Sequence, residues 1–322
     1  MATYKGIQGY TVQNLSSDPT ASSDTEGQLF YNSGSGKFKV VEAGTGSWAS
    51  GGALNTGRYG LAGSGLGTAG LVFAGIQQGG AFDGPTESYN GTAWTEVNAM
   101  SVARYFLAGV GTQTAALGVG SNSPPNLAIT EQWDGTNWTE VGDLTTGRTK
   151  TAGCGITTAG LVSGGFPAVA LTETYNGTAW TEVNDLNTAR GNMAASTKGT
   201  TTATLVFGGG PPGAVTTESY DGSTWSAAND MNTGRYGGGG AGVQTNALSF
   251  AGGPPAGGTT VNTESFDGTS WTEVNNMGTN RYRLGDAGSA IDAFGAGGNE
   301  PPAYNPTEEW LRAAAVKTVT TT

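Results

Sequence analysis

Along most of the chain the apolar residues fall into short runs rather than helical stripes, and the runs come in a fixed order. A Gly-rich stretch such as Tyr59-Gly60-Leu61-Ala62-Gly63-Ser64-Gly65 precedes a more apolar one, Leu71-Val72-Phe73-Ala74-Gly75. A loop rich in Gly and Pro then leads to Thr86-Glu87-Ser88-Tyr89, and after Asn90-Gly91 the chain continues as Ala93-Trp94-Thr95-Glu96-Val97. Short runs separated by turn residues predict strands, and Asn-Gly or Asp-Gly between two of them is the strongest local hairpin signal, because a type I′ turn needs positive φ at both central residues. Four strands per unit are therefore expected. Only 308–317 reads as helical.

The unit repeats. Segments 87–94, 131–138, 173–180, 218–225 and 264–271 share the form Glu-x-aromatic-(Asn/Asp)-Gly-(Thr/Ser)-x-Trp, and their tryptophans are 44, 42, 45 and 46 residues apart. Modules of this length cannot bury an apolar face alone and must share a core with their neighbours. An arginine opens each unit (Arg58, Arg104, Arg148, Arg190, Arg235, Arg281), which gives six. The sixth reaches Trp310 without a turn or a partnering tryptophan, whereas Trp48 has no strands of its own unit before it. These two defects complement each other. The expected fold is all-β: a six-bladed β-propeller of four-stranded antiparallel blades with an N-terminal extension, its ring closed by the N-terminal strand Ser47-Trp48-Ala49. Segment 315–322 competes for that place. The domains expected are an arm over 1–46 with a β-hairpin at 27–40, a propeller over 47–312 and a tail over 313–322. Gly and Ala in the first strand of each unit suit a position near a common axis, where larger side chains would collide.

Composition supports a folded body and narrows its partners. The chain has 322 residues with 57 Gly, 12% charged residues and 29 aromatics, from 8 Trp, 11 Tyr and 10 Phe, which argues against disorder. A net charge of -11 argues against nucleic acid and anionic membranes as partners. No apolar stretch is long enough for a membrane span, and the first ten residues lack the apolar core of a signal peptide, so assembly in a cytoplasm without membrane insertion is expected. Cys154, the only cysteine, reads as a small buried residue.

The Gly pairs after the second strand (Gly164-Gly165, Gly208-Gly209, Gly252-Gly253, Gly297-Gly298), each followed by an aromatic and then Trp, resemble the kelch repeat. The first two units carry only Gly75 and Gly120 there, and the spacing from aromatic to Trp is tighter than in typical kelch repeats. The opening Gln28-Leu29-Phe30-Tyr31-Asn32, with Lys37-Phe38-Lys39 and the later Trp-Thr-Glu-Val-Asn repeats, resembles structural proteins of tailed bacteriophages, particularly marine ones. That resemblance implies a kelch-like propeller located on the virion. It would be a tail-fibre or virion-surface component that attaches to a host-surface glycan or protein receptor and contacts other virion proteins through the N-terminal arm. A capsid-decorating or purely architectural role is the alternative, and a glycan-cleaving enzyme is the third reading.

Little chemistry is visible beyond this. The chain has no histidine, which removes the commonest general base and metal ligand, and one thiol cannot build a zinc site. No cofactor, metal or catalytic residue is expected, and the protein is read as a non-enzyme. Asp286 and Asp292 depart from the Gly and Ala of the other first strands and are the carboxylates a glycosidase would use. The six arginines and the recurring Glu87, Glu131, Glu173, Glu218, Glu264 and Glu308 could pair between neighbouring units. Alternatively, the four Arg-Tyr steps, Arg58-Tyr59, Arg104-Tyr105, Arg235-Tyr236 and Arg281-Tyr282, could form a ligand surface for sugars or anionic polymers. Pairing is the favoured role, since a residue required in every repeat more often serves the repeat. The variable loops 77–85, 121–126, 166–170, 211–215, 254–260 and 299–306 all leave the second strand and mark a partner-facing side.

Overall fold

The computed structural model describes residues 12–20, 27–77, 79–82, 85–122, 126–210, 214–299 and 305–319. Among these residues there is no helix. The chain divides into two compact units: Ser47–Leu311, and the described residues of Met1–Gly46 with those of Arg312–Thr322. The N-terminal decapeptide and parts of the loops 77–85, 121–126, 211–215 and 299–306 lie outside the described residues.

Six antiparallel four-stranded sheets succeed one another through Ser47–Leu311 in a propeller-like array. The first is a meander of Ala62–Leu66, Ala69–Phe73, Thr86–Tyr89 and Trp94–Val97. The fourth is the least regular, its first strand reduced to Ala194–Ala195. In the sixth, Gly285–Gly288, Asp292–Ala296 and Thr307–Leu311 take their outer strand from the opposite end of the unit, Ser47–Ser50. Trp48 stands opposite Trp310 in the register that puts Trp94 opposite Tyr89.

The helix expected over 308–317 does not form. Glu308 and Trp310 occupy the third-strand positions held by Glu87 and Tyr89 in the first sheet, and Ala314–Thr318 pairs with Lys37–Ala43 in the other unit. Strand pairing overrides the helix propensity of the Ala-rich run. The expected separate tail is therefore the edge strand of a sheet that also contains the hairpin Leu29–Asn32 and Lys37–Ala43, with Gln13–Leu15 added in parallel.

The hairpin turns also differ from expectation. Tyr89 pairs with Trp94, so the loop holds four residues rather than two, and only Gly91 has positive φ, at 86°. The Asn90 side chain accepts the Thr92 and Ala93 N–H groups at 2.9 Å each, supplying by a side-chain turn what a type I′ backbone would have supplied. Asp134, Asn176, Asp221 and Asp267 repeat this arrangement.

The core lies between sheets rather than within them. Six apolar clusters each combine residues of two sheets; Phe73, Leu107 and Trp138 join the first to the second, and Val72, Trp94 and Phe294 join the sixth to the first. Each buried aromatic removes on the order of 150–250 Å² from water. Every outer-strand indole also reaches across. Trp138 donates to Thr86 at 2.9 Å, and Trp180, Trp225 and Trp271 donate to Thr130, Thr172 and Thr217. Trp48 donates to Thr263 and Trp94 to Thr307, so each sheet is tied to a neighbour by the same bond.

First strands approach one another closely enough to explain their glycines. A Cβ at Gly63 would lie 2.5 Å from the Asp286 carbonyl oxygen, and one at Gly109 would lie 2.2 Å from the Gly63 carbonyl oxygen. Both contacts are with backbone that cannot move aside, so no side chain fits.

Candidate functional site

Each of the six arginines is paired with the glutamate of its own repeat. The N···O separations are 3.2 Å for Arg58–Glu87 and Arg104–Glu131 and 3.0 Å for Arg148–Glu173. Arg235–Glu264 and Arg281–Glu308 form the same contact. The sequence expectation placed such pairs between neighbouring units; both partners belong to one, because the arginine leads into the first strand and the glutamate lies on the third. The carboxylate also holds the incoming loop: Glu87 accepts the Asn55 N–H at 2.7 Å, and Glu264 accepts the Asn232 N–H at 2.7 Å. The guanidinium groups add bonds to strand carbonyls, as from Arg104 to Ile129 at 2.7 Å and to Gly118 at 3.0 Å.

Burial pushes the guanidinium groups of Arg104, Arg148, Arg190, Arg235 and Arg281 below their usual range, Arg104 to about 10, where it remains charged at neutral pH. Arg190 is the exception in geometry. It meets Glu218 at 3.0 Å, but its terminal nitrogens lack hydrogen-bond alignment and its Nε donates to the Met193 sulfur.

This burial separates the members of the expected Arg-Tyr surface. Arg58, Arg104, Arg235 and Arg281 are at most 2% exposed and face their glutamates, while Tyr59, Tyr105, Tyr236 and Tyr282 are half-buried. What remains open is aromatic. Tyr105 stacks on Phe82 with ring centres 4.9 Å apart, and Tyr236 meets Tyr282 edge to face at 6.0 Å.

Two positions after each arginine lies a feature that the repeats conceal, because its residues differ in type. Gly60, Phe106, Lys150, Asn192, Gly237 and Arg283 all have φ between 54° and 66°. The N–H of each donates to the carbonyl of the corresponding residue in the preceding repeat: Phe106 to Gly60, Lys150 to Phe106, Asn192 to Lys150, Gly237 to Asn192, Arg283 to Gly237 and Gly60 to Arg283. These six bonds measure 2.6–2.9 Å. Left-handed backbone is rare for residues with a Cβ, and the four non-glycines hold it because this hydrogen-bond pattern over-determines it.

The six residues frame the mouth of a cavity of about 100 Å³ lined by all six repeats. Its walls combine the small Ala62, Ala108, Ala152 and Ala194 with the larger Leu61, Leu107, Met193 and Leu284. At the mouth, the Lys150 ammonium lies 5.1 Å and the Arg283 guanidinium 5.0 Å from the centre of the Phe106 ring. Arg283 also covers Tyr282 at 4.7 Å, and Lys150 covers Phe166 at 5.0 Å.

Asp286 lies in the wall of the cavity and accepts the Gly240 N–H at 2.8 Å. Burial pushes its carboxyl up to about 7, against the opposing effect of that bond. Asp292, which the sequence reading placed with Asp286 in the first strand, instead begins the second, and takes different partners: Thr68 donates to it at 3.3 Å and Lys198 lies nearby. The two acids share no partner among the described residues. Lys198 donates to the Gly111 carbonyl at 3.3 Å, and Thr197 beside it donates to the Gly288 carbonyl at 3.2 Å, so the fourth repeat reaches across to the second and the sixth.

Among the described residues there is no group of three metal-ligating side chains and no helix long and apolar enough to cross a membrane. No protein-family model matches the chain, and no curated protein matches it significantly.

Proposed function

We propose that Ser47–Leu311 is a closed six-bladed kelch-like propeller that serves as a non-enzymatic display module on the virion of a tailed bacteriophage. In this reading it belongs to the tail or fibre and engages a glycan or protein of the host surface. The observation that carries the closed ring is the set of six peptide hydrogen bonds linking each repeat to the next, with Gly60 donating back to Arg283. The pairing of Ser47–Ser50 with Thr307–Leu311 supports it independently, since an unpaired edge would expose backbone groups and an apolar face.

A body that carries half-buried aromatics and variable loops suits recognition. The second unit suits attachment to other virion proteins. Its sheet joins Lys37–Ala43 to Ala314–Thr318, so the chain segments that precede and follow Ser47–Leu311 in sequence are held by one structure.

Electron microscopy of purified particles carrying a label on this chain tests the placement, and adsorption of the isolated protein to host cells tests the role. Label at the tail with saturable adsorption is expected. Label over the capsid without adsorption would establish the decorating role instead, and label absent from particles would refute a virion function. New reducing ends on incubation with host polysaccharide would overturn the non-enzymatic assignment.

A further inference from the structure

We propose that the cavity mouth marked by Lys150, Arg283 and Phe106 binds the carboxylate of an acidic sugar, with the sugar ring lying on the aromatic side chains. The inference stands apart from any virion role. It begins from where the cations of Ser47–Leu311 go. Of its seven arginines, six are committed to glutamates; of its two lysines, Lys198 is engaged by the Gly111 carbonyl near Asp292. The remaining arginine and lysine, Arg283 and Lys150, come from the sixth and third repeats and meet over one phenyl ring.

Two like charges at one ring oppose each other unless an anion lies between them. Burial and the nearby guanidinium together lower the Lys150 pKa, with no carboxylate offsetting them, and the enclosed Nε of Arg283 has no hydrogen-bond partner. Among the described residues neither cation forms an ion pair, and Asp286, in the wall of the same cavity, is bonded to the Gly240 N–H instead. Both cations also sit in left-handed backbone, at φ 58° and 59°, at a position where glycine serves in two of the six repeats. Strain of this kind, about 1 kcal/mol per residue or more, points toward a use for the side chain that incurs it.

The surroundings select the rest of the ligand. Phe106 is flanked by Tyr105, edge to face at 5.1 Å, and by a tilted Tyr59 at 6.4 Å, so several aromatic rings stand beside the charges. The adjoining cavity of about 100 Å³, lined by alanines and glycines together with Leu61, Leu107, Met193, Leu284 and Asp286, has room for a small substituent only. An acidic monosaccharide unit combines one negative group with a ring whose C–H face packs on aromatics. A free inorganic anion would use only the charges.

Calorimetric titration of the full chain with glucuronate, glucose and sulfate at low salt tests this. Glucuronate is expected to bind at least about tenfold more tightly than either glucose or sulfate, the scale of one charge-assisted hydrogen bond. Arg283→Gln and Lys150→Gln should each weaken glucuronate about tenfold while leaving the melting temperature unchanged, and the surface control Lys317→Gln should change neither. Phe106→Leu should weaken glucuronate and leave the weak sulfate signal in place. Equal binding of glucuronate and glucose, sulfate binding as tight as glucuronate, or unchanged affinity in both cation variants would overturn the proposal.

Discussion

Arg148→Ala and Arg283→Ala remove the same side chain from two environments and should differ sharply in consequence. Arg148 is 1% exposed, donates to the Gly164 carbonyl at 3.2 Å and contacts Glu173 at 3.0 Å. Its loss leaves Glu173 as a buried carboxylate with only the Thr145 N–H, at 2.8 Å, among its former hydrogen-bond partners. Removing one partner of a buried pair costs about 3–5 kcal/mol, mostly from the uncompensated charge left behind. At about 2–4 °C of melting temperature per kcal/mol for a body of this size, Arg148→Ala should melt roughly 10 °C lower. Arg283 has no ion-pair partner among the described residues, so Arg283→Ala should cost about 1 kcal/mol or less.

Urea unfolding followed by tryptophan fluorescence, with calorimetry on the same samples, measures both. The double variant Arg148→Leu/Glu173→Leu completes the set, since replacing both members by apolar groups restores most of the loss. If Arg148→Ala stays within about 1 kcal/mol of the parent, or matches Arg283→Ala, the structural role given to the buried Arg–Glu pairs is wrong.

Two further outcomes follow from the same geometry. The Asp286 carboxyl titrates near 7 when folded against 3.8 in its unperturbed state, so the unfolded chain ionises first and stability falls as pH rises from about 4 to 7. Asp286→Asn should be nearly neutral at pH 4 and should gain up to about 4 kcal/mol over the parent at pH 8; identical pH profiles in urea titrations would refute this. Trp48 packs against Phe250 at 4.8 Å and donates to Thr263, so Trp48→Ala should cost about 2–4 kcal/mol, comparable to Trp271→Ala. A loss below 1 kcal/mol would show that the outer strand of the sixth sheet is dispensable.

Much of this was legible in the sequence because a repeat displays its own requirements. The tryptophan ladder, the four runs per unit and the mutual incompleteness of Trp48 and Trp310 locate the sheets and the unusual outer strand. Recurring Arg and Glu announce a pair, but their separation along the chain does not say whether one unit or two supplies it. The Gly pairs are visible but misplaced in the fifth repeat. There the residues with positive φ are Ala251 and Gly252, not Gly252 and Gly253, and in the first repeat Ala74 takes the leading place.

The candidate site was hidden for a different reason. Its six backbone positions are defined by hydrogen bonds between peptides, which any residue can make, so Gly60, Phe106, Lys150, Asn192, Gly237 and Arg283 share no side-chain signature. Only after they are superimposed do Lys150 and Arg283 stand out as charges without counterparts. Asp286 shows the reverse case: the sequence marked it as an anomaly, and the structure explains it as an acid enclosed by the neighbouring strand and held by Gly240.

The belt of peptides at the mouth has an electrical consequence. In a helix the amide dipoles add along one axis and leave partial charge at each end. Here the six N–H···O=C bonds follow one another from repeat to repeat, with Gly60 donating back to Arg283, so no single terminus gathers unpaired N–H or C=O groups. The bonds that hold these positions are made by peptide groups, so the side chains carried there, two cations among them, set the charge that a visiting molecule meets at the opening.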